Sequence, residues 1–258
     1  MIKTIVNISK SPLYLAIILP TLLLGACSTN PVTGEKELAF VGEQQEQEIG
    51  RKHYQPSRQA QGGDYVVDKK LLHYVQSVGQ RLAKVSDRKL DYEFQIVNDG
   101  TPNAWALPGG KIAVHRGLLL ELKSEAELAA VLAHEVVHAA ARHTAKNMER
   151  GMIAQGVVLA GSVTLAGSRY RQVGMLGVTL GASLTNMHFG RDAERESDYH
   201  GIRYMVRAGY DPRAAVDLQK TFVRLHDGKE PNWLAGLFAS HPPSPERVQN
   251  NKKQLAQL

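Results

Sequence analysis

Residues 134–138 read His-Glu-Val-Val-His within a run of helix-forming residues. Side chains four apart on an α-helix lie about 40° apart around its axis, so the rings of His134 and His138 leave the same face. Two neutral imidazoles at that spacing can hold one Zn²⁺ ion, and Glu135 between them can reach a water beside the metal as general base. The expected chemistry is metal-assisted hydrolysis of a peptide bond. The setting supports this reading. Ser124 and Glu127 form a candidate capping box, and Leu128-Ala129-Ala130-Val131-Leu132-Ala133 would bury the segment. Two histidines and a glutamate in such a helix are costly without a partner.

A catalytic zinc takes three protein ligands and keeps one position open. The extended pattern H-E-x-x-H-x-x-G-x-x-H fails here, because Ala141 and Thr144 occupy its glycine and third-histidine positions. His143 falls one residue early and is expected on the helix surface. After Glu149 the next acid is Asp192, and His188 is the only histidine between them. Then comes Arg191-Asp192-Ala193-Glu194-Arg195-Glu196-Ser197-Asp198. On a helix Glu194 and Asp198 share a face and Glu196 points away. One of the pair can ligate while the other buttresses a ligand histidine through its second nitrogen.

With these motifs the chain resembles the gluzincin metalloendopeptidases, the family that includes the CAAX prenyl protease and the bacterial periplasmic beta-barrel assembly-enhancing protease. That family follows H-E-x-x-H with E-x-x-x-D on a later helix, matched here by Glu194-Arg195-Glu196-Ser197-Asp198, with Ser197 in place of the usual alanine. The resemblance extends to Asn30-Pro31-Val32-Thr33-Gly34, to Pro102-Asn103-Ala104-Trp105-Ala106 and to Ser240-His241-Pro242-Pro243. It implies a zincin-like metalloprotease domain with one Zn²⁺ per chain. The implied ligands are His134, His138 and Glu194, with Glu135 as base and Asp198 as partner of a ligand histidine.

The segment His241-Pro242-Pro243-Ser244-Pro245-Glu246-Arg247 mounts a histidine before a stiff diproline, and Ser244 can cap a helix that has Pro245 at its first position. The resemblance places His241 and Arg247 at the active site, stabilising the oxyanion. In some relatives the equivalent histidine binds the metal in a latent form.

The elements that must position these groups can be read coarsely. Ser28–Glu37 is a tether, Glu43–His53 a charged helix, and Gln55–Gly63 a linker. Lys69–Val85 carries Leu71, Leu72, Val75, Val78, Leu82 and Val85 at helical spacing. Tyr92–Val97 alternates as a strand, and two further strands flank Pro108-Gly109-Gly110. The expected fold class is α+β, mostly helical with a small antiparallel sheet. Asn103, Ala104, Trp105, Ala106 and Leu107 are the candidate strand edge that pairs with an extended substrate. By pattern alone the same residues read equally as an ordinary hairpin, and the resemblance favours the edge. The apolar stretch from 152 to 184 reads as a packed helical hairpin, a lid or a membrane-associated hairpin.

Residues 1–26 carry Lys3 and Lys10, no acid, and an apolar run ending Leu24-Gly25-Ala26 before Cys27, the only cysteine. This reads as a secretory signal resembling a lipoprotein signal, with Cys27 as the lipidated residue. Ser28, where an aspartate would retain the protein at the inner membrane, resembles an outer-membrane address facing the periplasm. The expected division is a signal at 1–26, a tether and N-terminal helix at 27–63, and a zinc metallopeptidase domain at 64–258. Net charge is +6 in 258 residues, and aromatics are 6%. No basic stripe with interleaved aromatics appears, so nucleic acid is not an expected partner. Protein or peptide substrates, the membrane through Cys27, and envelope assembly machinery are. The competing readings are a chaperone-like envelope lipoprotein with a latent site, and a structural zinc protein with His241 as fourth ligand.

Overall fold

The computed structural model describes residues 27–152, 189–227 and 240–258. The expected signal at 1–26 and the apolar residues between 153 and 184 lie outside the described residues. Strands β1 (Cys27–Thr29) and β2 (Lys36–Leu38) form a hairpin; α1 is Glu43–Ala60 and α2 Lys69–Ala83. Strands β3 (Glu93–Val97), β4 (Ala104–Leu107) and β5 (Lys111–His115) make a three-stranded sheet. Helices α3 (Arg116–Glu121), α4 (Glu125–Ala140), α5 (Arg191–Arg207), α6 (Arg213–Asp227) and α7 (Pro245–Leu255) complete the named elements. The α+β class holds. Among the described residues no helix is long and apolar enough to cross a membrane.

The sheet is mixed, which corrects the antiparallel expectation. Its order is β3-β5-β4. β4 pairs antiparallel with β5, and β3 pairs parallel with it. The chain leaves β3, passes β5's position and returns on its far side. Asp99 staples that crossing: its side chain accepts from Thr101 N–H at 2.7 Å and its carbonyl from Gly117 N–H at 2.9 Å. A Cβ on Gly117 would sit 2.0 Å from the Gly100 carbonyl oxygen, so only glycine lets the two segments meet.

The sheet buries both faces. Phe94, Ile96, Ala104, Ala106, Ile112 and Val114 join the main core with α2 and α4. Val97, Trp105, Leu107 and Ala113 pack with Tyr54 and Met148 on the α1 side. α1 runs on to Ala60, through the residues expected as linker, with Pro56 inside it. Proline costs a helix one hydrogen bond. Anchors on both sides of Pro56 hold the rest: Tyr54 Oη donates to the Ile112 carbonyl at 2.6 Å, and Arg58 pairs with Asp64. The segment expected as a tether is the β1–β2 hairpin, and its Asn30 side chain donates to Glu196 at 3.2 Å.

α4 is the central element and packs against α2, α5, α6 and β4. Ser124 caps it by accepting from Glu127 N–H at 3.1 Å, while Glu127 Oε2 accepts from Lys123 N–H at 2.6 Å. The box therefore closes one residue earlier than a standard one. Arg142, at φ 63, ends the helix. A non-glycine residue pays for that left-handed conformation, and Arg142 is held there by Glu46 at 2.9 Å and the Val41 carbonyl at 2.6 Å. Glu46 is fully buried and also takes both terminal nitrogens of Arg88, at 2.8 and 3.0 Å.

Candidate metal centre

α4 and α5 bring the expected groups together. Gly201 makes the approach close: a Cβ there would lie 3.4 Å from the His134 amide nitrogen. His134 Nε2 and His138 Nε2 are 2.9 Å apart. The Glu194 oxygens lie 3.4 Å from the first and 3.3 Å from the second. His241 adds a fourth donor, with Nδ1 3.3 Å from His134 Nε2 and 3.0 Å from Glu194 Oε1. Its mount is the one expected, with Ser244 accepting from Arg247 N–H at 3.2 Å and Pro245 opening α7. Phe189, absent from the sequence reading, packs its ring 4.1 Å from that of His138.

These four residues fit a tetrahedral cation. Their ligand atoms all lie within 4.8 Å of one another. Bonds of about 2.05 Å to tetrahedral vertices place ligand atoms about 3.3 Å apart, and most of the observed separations fall near that value. The donor set agrees: in their neutral forms the three imidazoles and the carboxylate aim lone pairs at one point with too few protons to share. Glu135 Oε2 is buried without a hydrogen-bond partner among the described residues. Such an oxygen is expensive unless something else satisfies it.

Charge and burial oppose each other at the same point. Burial opposes protonation of His134, but the Glu194 and Asp198 carboxylates outweigh it and hold the imidazole up at about 10. Burial, with His134 and His143 beside it, pushes His138 well below its ordinary value. Burial works against a charged Glu194, yet His241, Arg247 and His134 hold its carboxyl well below the usual range. Burial pushes Glu135 up. Glu135 Oε1 lies 3.5 Å from His241 Nε2, beside the donor cluster and outside it.

Asp198 stands where the sequence put it. His134 Nδ1 donates to Asp198 Oδ1 at 3.1 Å, which leaves Nε2 to face the cluster. Arg247 lies at the site, against its carboxylates. Its Nε and Nη2 each donate to Asp198 at 2.7 Å, and Nη1 lies 2.8 Å from Glu194 Oε2 and donates to the Pro242 carbonyl at 3.2 Å. With its donors engaged in this way, Arg247 clamps two carboxylates. The fork geometry of guanidinium suits that task.

Two other expectations change. His143 is buried, not on the surface, because the turn at Arg142 swings the chain back beneath α4; its Nδ1 lies 2.9 Å from His138 Nδ1. Glu196 does point away from the cluster, but toward His143 Nε2, at 3.4 Å. A histidine five residues past the motif was the only sequence signal for this contact.

β4 is an edge strand, as expected for Asn103–Leu107. The Asn103 carbonyl accepts from His115 N–H at 2.8 Å, so by antiparallel alternation the main-chain groups of Ala104 and Ala106 face away from β5. Thr144 Oγ1 already donates to the Ala106 carbonyl at 2.9 Å, and Ala104 N–H takes Asn103 Oδ1 at 3.0 Å. The Ala104 carbonyl and Ala106 N–H face the same side, away from β5. Ala104 also lines a largely apolar cleft with Ala130, Val131, Ile202, Met205 and Phe222, which reaches His134, Glu135 and His241.

Comparison with known proteins agrees with this geometry. The profile of Peptidase family M48 matches residues 70–254. The chain is similar to the mitochondrial metalloendopeptidase OMA1 of Schizosaccharomyces pombe, 37% identical over 187 residues, covering 70% of this chain and 52% of that protein. It is also similar to the beta-barrel assembly-enhancing protease of Escherichia coli, 30% identical over 210 residues, covering 78% of this chain and 42% of the relative. The chain thus spans about half or less of the length of these relatives. The motif helix, the helix carrying Glu194 and the His241 mount all fall inside the matched span, and the chain belongs to peptidase family M48.

Proposed function

We propose that this chain is a zinc metalloendopeptidase, with His134, His138 and Glu194 as ligands and Glu135 as the proton carrier. The observation behind it is the Glu135 carboxyl, buried with one oxygen unpartnered next to a converging donor set. Zinc held there would supply Lewis acidity and a water acidified to a pKa of about 7. Glu135 takes a proton from the attacking water and returns it to the leaving amine, and its burial-raised basicity suits both halves of that task. Asp198 keeps the His134 proton on Nδ1, and Arg247 keeps Asp198 and Glu194 in place. The main-chain groups of Ala104 and Ala106 that face away from β5 align the substrate as an added strand, largely independent of its side chains. His241 either vacates its position to serve the oxyanion or stays as a fourth ligand in a latent form.

The substrates, on this proposal, are misfolded or misassembled envelope proteins. The address comes from the lipoprotein-like start of the chain with Cys27 as anchor, in an outer membrane facing the periplasm. The name of the Escherichia coli relative points to the same setting, with assembly machinery as partner. The competing reading is a structural or latent zinc site in a chaperone-like lipoprotein. One observation favours it: four protein donors, not three, already meet.

Hydrolysis of unfolded casein separates the two. The enzyme reading expects cleavage by the zinc-loaded protein, loss with a chelator and return with added zinc. Zinc-loaded wild type and His241→Ala that both leave casein intact would return the chain to the structural reading.

A further inference from the structure

His138 has two ring nitrogens, and the metal reading of the preceding section requires one particular nitrogen. Nε2 faces His134 and Glu194; Nδ1 faces His143 Nδ1 at 2.9 Å. For Nε2 to offer a lone pair, Nδ1 must carry the proton, so His143 Nδ1 must accept it. The His143 proton then sits on Nε2, whose nearest acidic oxygen is Glu196 Oε1 at 3.4 Å, an ion-pair contact that falls short of a well-formed hydrogen bond. That same oxygen accepts from Asn30 Nδ2 at 3.2 Å. The Asn30 amide cannot be reversed without loss, because its Oδ1 accepts from Val32 N–H at 2.9 Å and Thr33 N–H at 3.4 Å in the β1–β2 turn. The Ser197 hydroxyl, 3.4 Å from His143 Nδ1, is the other polar side chain at that nitrogen.

We propose that Asn30, Glu196 and His143 form a positioning chain that selects Nε2 as the metal-facing nitrogen of His138 and thereby ties the N-terminal hairpin to the metal centre. The donor directions carry the inference. Asn30 donates to Glu196, the acceptor-only Glu196 carboxylate faces His143 Nε2, and His143 Nδ1 is left to accept from His138, so a lone pair of His138 is directed at the cluster. Asn30 and His143 are both buried at 3% exposure, so water does not substitute for either partner. The two ligand histidines are thus oriented by different carboxylates of α5: Asp198 directly for His134, Glu196 through His143 for His138. Asn30 lies 166 residues from Glu196, in a motif that the catalytic reading leaves without a role.

Such outer partners typically govern about 10–100-fold of metal affinity. The test is zinc affinity, by competition with a chromophoric chelator, on the full chain and on His143→Leu, His143→Asn, Glu196→Ala and Asn30→Ala. Melting of each metal-free variant is measured alongside. Nitrogen-15 imidazole spectra of the zinc-loaded protein read which His138 nitrogen is protonated. Expected are a Kd raised about 10–100-fold in His143→Leu and Glu196→Ala, a smaller rise in Asn30→Ala, and recovery in His143→Asn, whose Oδ1 can accept in place of Nδ1. If His143→Leu does not fold, Asn30→Ala and His143→Asn decide the matter. Wild-type affinity in both Glu196→Ala and Asn30→Ala, or a proton on His138 Nε2 in the zinc-loaded wild type, overturns the chain. A wild-type protein that takes up no zinc overturns instead the metal reading on which the chain rests.

Discussion

Arg247→Met is the substitution whose effect the structure sizes most directly. The guanidinium is buried and neutralises two carboxylates at once, Asp198 through two bonds of 2.7 Å and Glu194 at 2.8 Å. Methionine fills similar length without charge, so both acids lose the guanidinium and keep only histidine partners inside the core. Removing one member of a buried charge pair costs about 3–5 kcal/mol. At about 2–4 °C per kcal/mol for a domain of this size, the metal-free protein melts about 6–20 °C below wild type. Zinc would offset part of the loss, because a divalent cation gives Glu194 a new partner. The zinc-induced rise in Tm is therefore larger in Arg247→Met than in wild type. Arg247→Lys falls between, since a single ammonium keeps the charge but cannot fork across Asp198 while reaching Glu194. The assay is thermal unfolding by circular dichroism, with chelator and with saturating zinc. A metal-free Tm for Arg247→Met within about 2 °C of wild type would refute the clamp.

The alkaline arm of the pH dependence of stability should flatten with metal. In the metal-free protein His134 keeps its proton up to about 10 while the unfolded chain loses it at 6.5, so the native state binds more protons between those values and stability falls as pH rises. Zinc replaces that proton and flattens the alkaline arm. His138 acts in the opposite direction: below 6.5 the unfolded chain takes up a proton that the buried ring refuses, so stability falls as pH drops. Tm measured against pH with chelator and with zinc checks both arms, and a flat alkaline arm in chelator contradicts the first. Gly201→Ala should leave zinc binding intact, since its Cβ meets the His134 amide at 3.4 Å, an ordinary contact. Gly201→Leu should overpack the α4–α5 seam at a cost of about 1–3 kcal/mol and weaken zinc binding by separating Glu194 from the histidines. Equal zinc affinity in both would show that the seam does not set the site.

Local periodicity made the centre of the site legible. His134, Glu135 and His138 follow from a four-residue helical repeat, as does the shared face of Glu194 and Asp198, and the Ser244–Pro245 start of α7 follows from capping chemistry. What escaped depends on contacts between distant residues or on conformations that the residue type does not announce. Arg142 adopts a left-handed turn without being glycine, held by Glu46 from α1, and so His143 moved from an expected surface to the underside of His138. Pro56 signals a helix end, yet α1 continues because Tyr54 and Arg58 are anchored around it. The hairpin pairing of β4 with β5 was readable from Pro108-Gly109-Gly110. The parallel docking of β3 was not, because it depends on the loop crossing that Asp99 and Gly117 hold. The contacts of Arg247 with Asp198 and Glu194 were not readable, since sequence shows a nearby cation and not where its donors go.

The central claim is that Glu135 moves protons for a peptide bond polarised by zinc on His134, His138 and Glu194. Its most direct test is Glu135→Gln, with zinc content and casein hydrolysis measured on the same sample. Glutamine keeps the shape of the side chain and cannot accept the proton, so the account predicts one zinc per chain, as in wild type, and a rate lower by about 10²-fold or more. A fully loaded Glu135→Gln protein that cleaves casein at the wild-type rate would contradict it.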